Sequence, residues 1–154
     1  MITITRIDER LIHGQVAFAW TTAYKVDVVM VVDNEVSKDD FQKSLLEMAC
    51  PAGLKCLVVD DEKAVKFLER NENKRFFIVV KEPGVLVKMM NNGVTFDSIN
   101  VGGIYFKEGR RQLSKTVYVD DAMVEDFKKL DANGVALDVR TTPSDTSEDL
   151  MKLI

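Results

Sequence analysis

Short runs of β-branched and apolar residues recur along this chain, separated by stretches with helical spacing. The runs are Ile2–Arg6, Asp27–Asp33, Lys55–Asp60, Phe76–Val80, Ser98–Gly103, Thr116–Asp120 and Val135–Val139. Several, such as "VVMVV" and "FFIVV", are apolar throughout rather than alternating. That pattern belongs to strands covered on both faces, as in a parallel sheet. Between them, "SKDDFQKSLLEMAC" carries Ser37 as an expected N-cap and an apolar stripe of Phe41, Leu45, Leu46 and Met48. "DEKAVKFLERN" repeats the spacing with Ala64, Val65, Phe67 and Leu68. "PGVLVKMMNNG" opens on proline and closes on glycine, and "DDAMVEDFKKLDANG" ends on a glycine stop. "SDTSEDLMKLI" is expected as a final helix, and Gly103–Lys115 as a loop or short excursion. The expected fold is α/β: an open, mostly parallel, twisted sheet of six to seven strands with helices on both faces and right-handed crossovers.

The length of 154 residues suits one domain, 1–154, with no linker or repeat. No apolar run approaches the roughly 20 residues of a membrane span, and "MITITRIDER" lacks a signal-peptide core. A cytoplasmic protein is expected. The net charge of −4 gives a nucleic-acid role no bulk support. Cys50 and Cys56, with one histidine and no CxxC, do not make a usual zinc site. A reducing cytosol argues against a disulfide, so both are expected as small apolar residues.

The only histidine, His13, stands in "RIDERLIHGQVAFAW" (Arg6–Trp20). If Ile2–Arg6 is the first strand and Gly14 opens the first helix, His13 lies at the carboxyl edge of the sheet, where α/β folds bind ligands. Free N–H groups at a helix start favour an anion there. Gly14 is expected to admit a close backbone, and Arg6 and Arg10 to contact phosphate oxygens. These parts suit an imidazole that accepts a phosphoryl group. No P-loop is present, so phosphate would come from another protein, with no nucleotide, metal or other cofactor in the carrier. Chemistry alone leaves a second reading open, a loop histidine without a role.

The same segment resembles the phosphorylation site of the mannose/fructose/sorbose-type IIB components of the bacterial phosphotransferase system, whose usual form reads close to RIDDRLIHGQV. Glu9 is the departure here. The likeness continues through Val31–Lys55, "SINVGG" (Ser98–Gly103) and "GVALDVRTTPSD" (Gly134–Asp145). The resemblance implies a phosphohistidine–sugar phosphotransferase that takes phosphate from IIA and passes it to a sugar brought in through the membrane components IIC and IID. It implies phosphorylation of His13, through Nδ1 in that family, with Arg10 tied to delivery. Arg6, Asp8 and Gly14 stand at motif positions around the site. Ile154 leaves no room for a fused IIA domain, so IIA is expected either on a separate polypeptide or outside this stretch of sequence. Sugar specificity is expected to lie largely in the membrane partners.

Asp33, ending the second strand on the same edge, is a candidate to accept a hydrogen bond from His13 or Arg10, or else a cap. "NVGG" (Asn100–Gly103) either passes its backbone near the phosphate or makes a turn. "KEGRR" (Lys107–Arg111) reads as a solvated basic loop or a contact for an acidic partner, and Met89–Met90 as core. Two rivals to the carrier are a regulatory module that keeps the IIB fold without transferring phosphate, and a hydrolase using His13 as acid–base. The second lacks a GxSxG-type nucleophile motif. A homo-oligomer stays open.

Overall fold

The computed structural model describes all 154 residues, Met1–Ile154. The strands are β1 (Ile2–Asp8), β2 (Val28–Val32), β3 (Lys55–Val59), β4 (Phe76–Val80), β5 (Ser98–Gly103), β6 (Arg111–Ser114), β7 (Val117–Val119), β8 (Ala136–Val139) and β9 (Glu148–Asp149). The helices are α1 (Gly14–Ala23), α2 (Asp40–Ala49), α3 (Asp61–Arg70), α4 (Pro83–Asn91) and α5 (Asp121–Ala132). Seven strands form one sheet in the order β3-β2-β4-β1-β5-β8-β9. All pair in parallel except the short edge pair β8–β9.

The continuous apolar runs are continuous because the sheet is covered on both sides. Met30, Ile78 and Val80 pack with Ala64 of α3, Leu86 and Met89 of α4 and Phe127 of α5. Their strand neighbours Val29, Val31, Phe77 and Val79 pack on the other face with Ala17 and Trp20 of α1, joined by Leu46 of α2. Successive side chains thus alternate between two cores.

β1 lies between β4 and β5. The chain leaves β1 through α1 on one face toward β2, and leaves β4 through α4 on the other face toward β5. Connections that diverge around a central strand open a crevice at its carboxyl end. Asp8 ends β1 there, and His13 directly precedes α1 with extended backbone, φ −148° and ψ 127°.

Several elements differ from expectation. Thr116–Asp120 does not join the main sheet: β7 pairs antiparallel with β6, and Gly103–Lys115 supplies the other half of that hairpin. Its apolar side chains find burial anyway, Val117 and Val119 packing into the α4–α5 core. The final segment is no helix. Glu148–Asp149 pairs with the edge of β8, and Asp149 caps the single 3₁₀ turn Leu150–Lys152. The N-cap of α2 is Asp39 rather than Ser37, which sits in a preceding 3₁₀ turn; Asp39 accepts from the N–H groups of Phe41 and Gln42. The α2 stripe also fails to reach the core. Phe41, Leu45 and Met48 are 71%, 50% and 82% exposed, and only Leu46 packs inward.

Cys50 and Cys56 form a disulfide, against the expectation of two free thiols. A turn through Pro51–Leu54, with Gly53 at φ +84°, reverses the chain between the end of α2 and β3. That reversal leaves the two Cα atoms 6.1 Å apart, within bridging range.

Candidate functional site

The β1 register points Arg6 and Asp8, two residues apart, to the same side of the sheet. Both are buried, at 2% and 0% exposure. Arg6 Nη2 donates to Asp8 Oδ2 at 2.9 Å. The same oxygen lies 3.0 Å from His13 Nε2. The other oxygen, Oδ1, accepts from the backbone N–H of Arg10 at 2.9 Å. The Arg10 guanidinium approaches it more loosely, Nε at 3.6 Å. One buried carboxylate therefore holds Arg6, the backbone of the following turn and the imidazole together.

That turn is tight. The Leu11 N–H donates to the Asp8 carbonyl at 2.8 Å, and Leu11 adopts φ +59°, a left-handed conformation that costs a side-chain-bearing residue about 1–2 kcal/mol. The turn carries the chain back over Asp8, so that the imidazole reaches the carboxylate and remains 24% exposed. Gly14 follows at φ +41°, and a Cβ there would meet nothing within 4 Å. Gly14 thus serves the backbone turn into α1, not the close approach of another backbone. By helix geometry, the first N–H groups of α1 have no intrahelical acceptor.

Arg6 does not reach an open phosphate site, contrary to expectation. Its Nη1 donates to Asn100 Oδ1 at 2.6 Å and to the Thr141 carbonyl at 3.0 Å. Its guanidinium lies 5.4 Å from the centre of the Trp20 ring. Arg140 lies 5.3 Å from the same ring, whose Nε1 donates to the Thr141 carbonyl at 3.0 Å. Burial pulls Arg6 below the ordinary arginine value, opposed by the charge and hydrogen bond of Asp8. The "NVGG" glycines are explained by this cluster. A Cβ at Gly102 would collide with the Arg6 guanidinium, and one at Gly103 would strike the Tyr105 hydroxyl and lie 3.0 Å from Asp8 Oδ1.

Asp33 stands on the predicted sheet edge but caps a turn. Its Oδ1 accepts from the N–H groups of Glu35 and Val36 at 3.0 and 2.8 Å, and no bond joins it to His13 or Arg10. In "KEGRR", Arg110 is not solvated: its side chain is 8% exposed and paired with Glu9 at 2.9 Å. Arg10 is different from Arg6 and Arg110. It is 51% exposed, and its guanidinium sits 4.9 Å from the centre of the Tyr105 ring.

The sequence carried no sign of the Asn100 side chain's role, of Trp20, Tyr105 or Thr141 at the site, or of the Glu9–Arg110 pair as such. The departure at Glu9 from the usual aspartate and the basic loop Lys107–Arg111 were the local signals of that pair.

An acid beside a histidine, at the carboxyl edge of a parallel sheet and the start of a helix, defines an α/β protein with an imidazole set where such folds receive anions. Comparison with known proteins is more specific. The family model described as PTS system sorbose subfamily IIB component matches residues 2–154, and the chain belongs to that family. It is a phosphocarrier of a sugar-uptake phosphotransferase system, and so a phosphotransferase in general class. It is 37% identical over 156 residues to the sorbose-specific EIIB component of Lacticaseibacillus casei, covering 100% of this chain and 95% of that protein. It is 37% identical to the mannose-specific EIIAB component of Escherichia coli K12, of whose length it spans 48%. The crystal structure of the IIB domain of the sorbose permease from Klebsiella pneumoniae superposes with a TM-score of 0.96 at 34% identity, covering 99% of this chain and 95% of that one. No helix is long and apolar enough to cross a membrane.

Proposed function

We propose that His13 is the residue on which this carrier is phosphorylated and that Nδ1 is the attacking atom. The supporting observation is the 3.0 Å approach of His13 Nε2 to Asp8 Oδ2, an oxygen that also accepts from Arg6. A carboxylate between such neighbours acts as acceptor, so Nε2 carries the hydrogen. The neutral imidazole then keeps its lone pair on Nδ1, with Asp8 fixing the ring as an orienting acid fixes a catalytic histidine.

In the loading step the P–N bond on a phosphohistidine of IIA breaks and a P–Nδ1 bond forms on His13. In delivery that bond breaks, a P–O bond forms to a sugar hydroxyl, and the hydroxyl proton is released as the imidazole returns to its neutral form. The free N–H groups at the start of α1 favour the dianion. Arg10, exposed and loosely held, supplies positive charge to the equatorial oxygens. Arg6 acts through Asp8 and touches no phosphate.

The reading takes residues 1–154 as one IIB domain acting at the cytoplasmic face of the transporter, with IIA as donor and IIC and IID as membrane partners. Its specific activity is transfer from protein phosphohistidine to sugar. The relative whose name joins IIA and IIB in one chain supports the choice of donor.

The test is labelling with radioactive phosphoenolpyruvate, the general phosphotransferase proteins and IIA. Wild type should take up acid-labile, base-stable phosphate, and ATP alone should leave it unlabelled. His13→Ala should abolish both labelling and sugar phosphorylation while costing only about 1 kcal/mol of stability, the worth of one hydrogen bond. Label on folded His13→Ala protein places the phosphate elsewhere and overturns the reading.

A further inference from the structure

Tyr105 lies 96 residues beyond Glu9 of the histidine turn, yet both of its backbone polar groups are tied to that glutamate, one directly and one through Arg110. Its N–H donates to Glu9 Oε1, and its carbonyl accepts from Arg110 Nη1 at 2.7 Å. Arg110 grips Glu9 with both ends of its fork, Nη1 to Oε1 at 2.9 Å and Nη2 to Oε2 at 3.3 Å. The Glu9 N–H in turn donates to the Gly103 carbonyl at 2.8 Å. Lys107 adds an exposed contact to Glu9 at 3.6 Å, which contributes little. The fork and the two backbone bonds hold the Tyr105 main chain in place, as bidentate arginine–carboxylate geometry does.

The ring so held faces Arg10, whose guanidinium is 4.9 Å from its centre. The Tyr105 hydroxyl is buried and has no hydrogen-bond partner. Burial first, and then the charge of Asp8, push the phenol above its ordinary value, so the ring is neutral at neutral pH and meets Arg10 through its face, not as a phenolate. Besides the ring, the Arg10 guanidinium approaches Asp8, with Nε 3.6 Å from Oδ1. Stacking occupies the face of a guanidinium and leaves its N–H edge free for planar contacts to phosphate oxygens. Arg10 otherwise has the rotamer freedom of a half-exposed arginine.

We propose that Tyr105 is a positioning residue for Arg10: the Glu9–Arg110 clasp holds its ring as a platform that keeps the guanidinium at Asp8, the carboxylate that also holds His13, while its N–H edge stays free for the phosphoryl group. This rests on the proposed roles of His13 and Arg10. It gives the glutamate at position 9 a task, since that carboxylate bonds both Arg110 and the Tyr105 N–H.

The test is a double-mutant cycle on the full chain with IIA and the membrane components, following loading of His13 and delivery to sugar separately. Tyr105→Leu should slow delivery about two- to fivefold, the worth of an exposed cation–π contact, and change loading by less than about twofold. Tyr105→Phe should restore the wild-type rate, because the hydroxyl has no partner and the ring is kept. In an Arg10→Gln background, Tyr105→Leu should have no further effect. Tyr105→Met supplies a second ring-free variant if the leucine variant does not fold. Additive losses in the cycle, equal slowing of loading and delivery, or failure of Tyr105→Phe to rescue would each overturn the proposal while leaving His13 as the carrier. A wild-type protein that takes no label overturns the proposed function and this inference with it.

Discussion

Asp8 Oδ2 stands between a buried arginine and the only histidine, 2.9 Å from Arg6 Nη2 and 3.0 Å from His13 Nε2. The carboxylate is fully buried, whereas the imidazole it holds is partly open to solvent. On the proposed reading stability and chemistry meet in one side chain, and substitutions around it should separate the two.

Asp8→Asn should impair both. The amide can offer its NH₂ to Nε2 and so move the imidazole hydrogen to Nδ1, and loading should fall by about 10²-fold or more, in line with the loss when an orienting acid becomes an amide. The same change leaves the buried Arg6 charge without its counterion, which should cost about 3–5 kcal/mol. Rapid-quench labelling and urea denaturation read the two effects. Unchanged loading in folded Asp8→Asn protein would contradict the tautomer assignment.

Gly102→Ala should destabilise the protein by about 1–3 kcal/mol, the usual cost of forcing volume into a packed site. The added Cβ would occupy the space of the Arg6 guanidinium, and the displaced arginine would loosen Asp8. Thermal unfolding should show a lowered midpoint, with loading slowed in parallel. Gly14→Ala provides the contrast. It meets no atom within 4 Å, so its cost should come from backbone strain at φ +41° alone.

Reduction of the Cys50–Cys56 bridge should lower stability by about 2 kcal/mol, as expected from chain entropy for so short a loop. Denaturation with and without dithiothreitol measures it, and Cys50→Ser with Cys56→Ser should abolish the difference. An identical unfolding midpoint under both conditions would show that the bridge contributes nothing.

The acid limb of stability should carry the signature of Asp39. Backbone bonding to the N–H of Gln42, then its side-chain bond to Gln42, hold the Asp39 carboxyl below its ordinary 3.8. A depressed folded value means the contribution is fully present above 3.8 and is lost as pH falls through the folded value. Asp39→Asn keeps a capping oxygen but removes the titration. Urea midpoints measured from about pH 5 down to about pH 2 should therefore fall less steeply for Asp39→Asn than for wild type. Parallel curves would indicate that this cap does not govern the acid limb.

The alternation of two-sided apolar runs with helical stripes determined the α/β architecture, because burial on both faces of a parallel strand writes itself into consecutive residues such as Val28–Val32. The same local grammar placed His13 between a strand and a helix start, and the resemblance carried by Arg6–Trp20 named the family. What tertiary structure decided is which side chains meet across the sheet. Arg6 is a buried strut rather than a phosphate ligand because Asn100, 94 residues away, and Thr141, 135 residues away, arrive beside it, and Gly102 leaves it room. Asp33 became a cap because the nearest unsatisfied N–H groups were those of Glu35 and Val36. The α2 stripe has the spacing of a core face but stays largely in solvent, since spacing sets where side chains lie around a helix and not what covers them. Tyr105 carries no local pattern, and Arg110 shows in the sequence only as part of a basic loop. Their place beside Arg10 exists only once β1 and β5 pair and carry Glu9 to the start of the hairpin excursion.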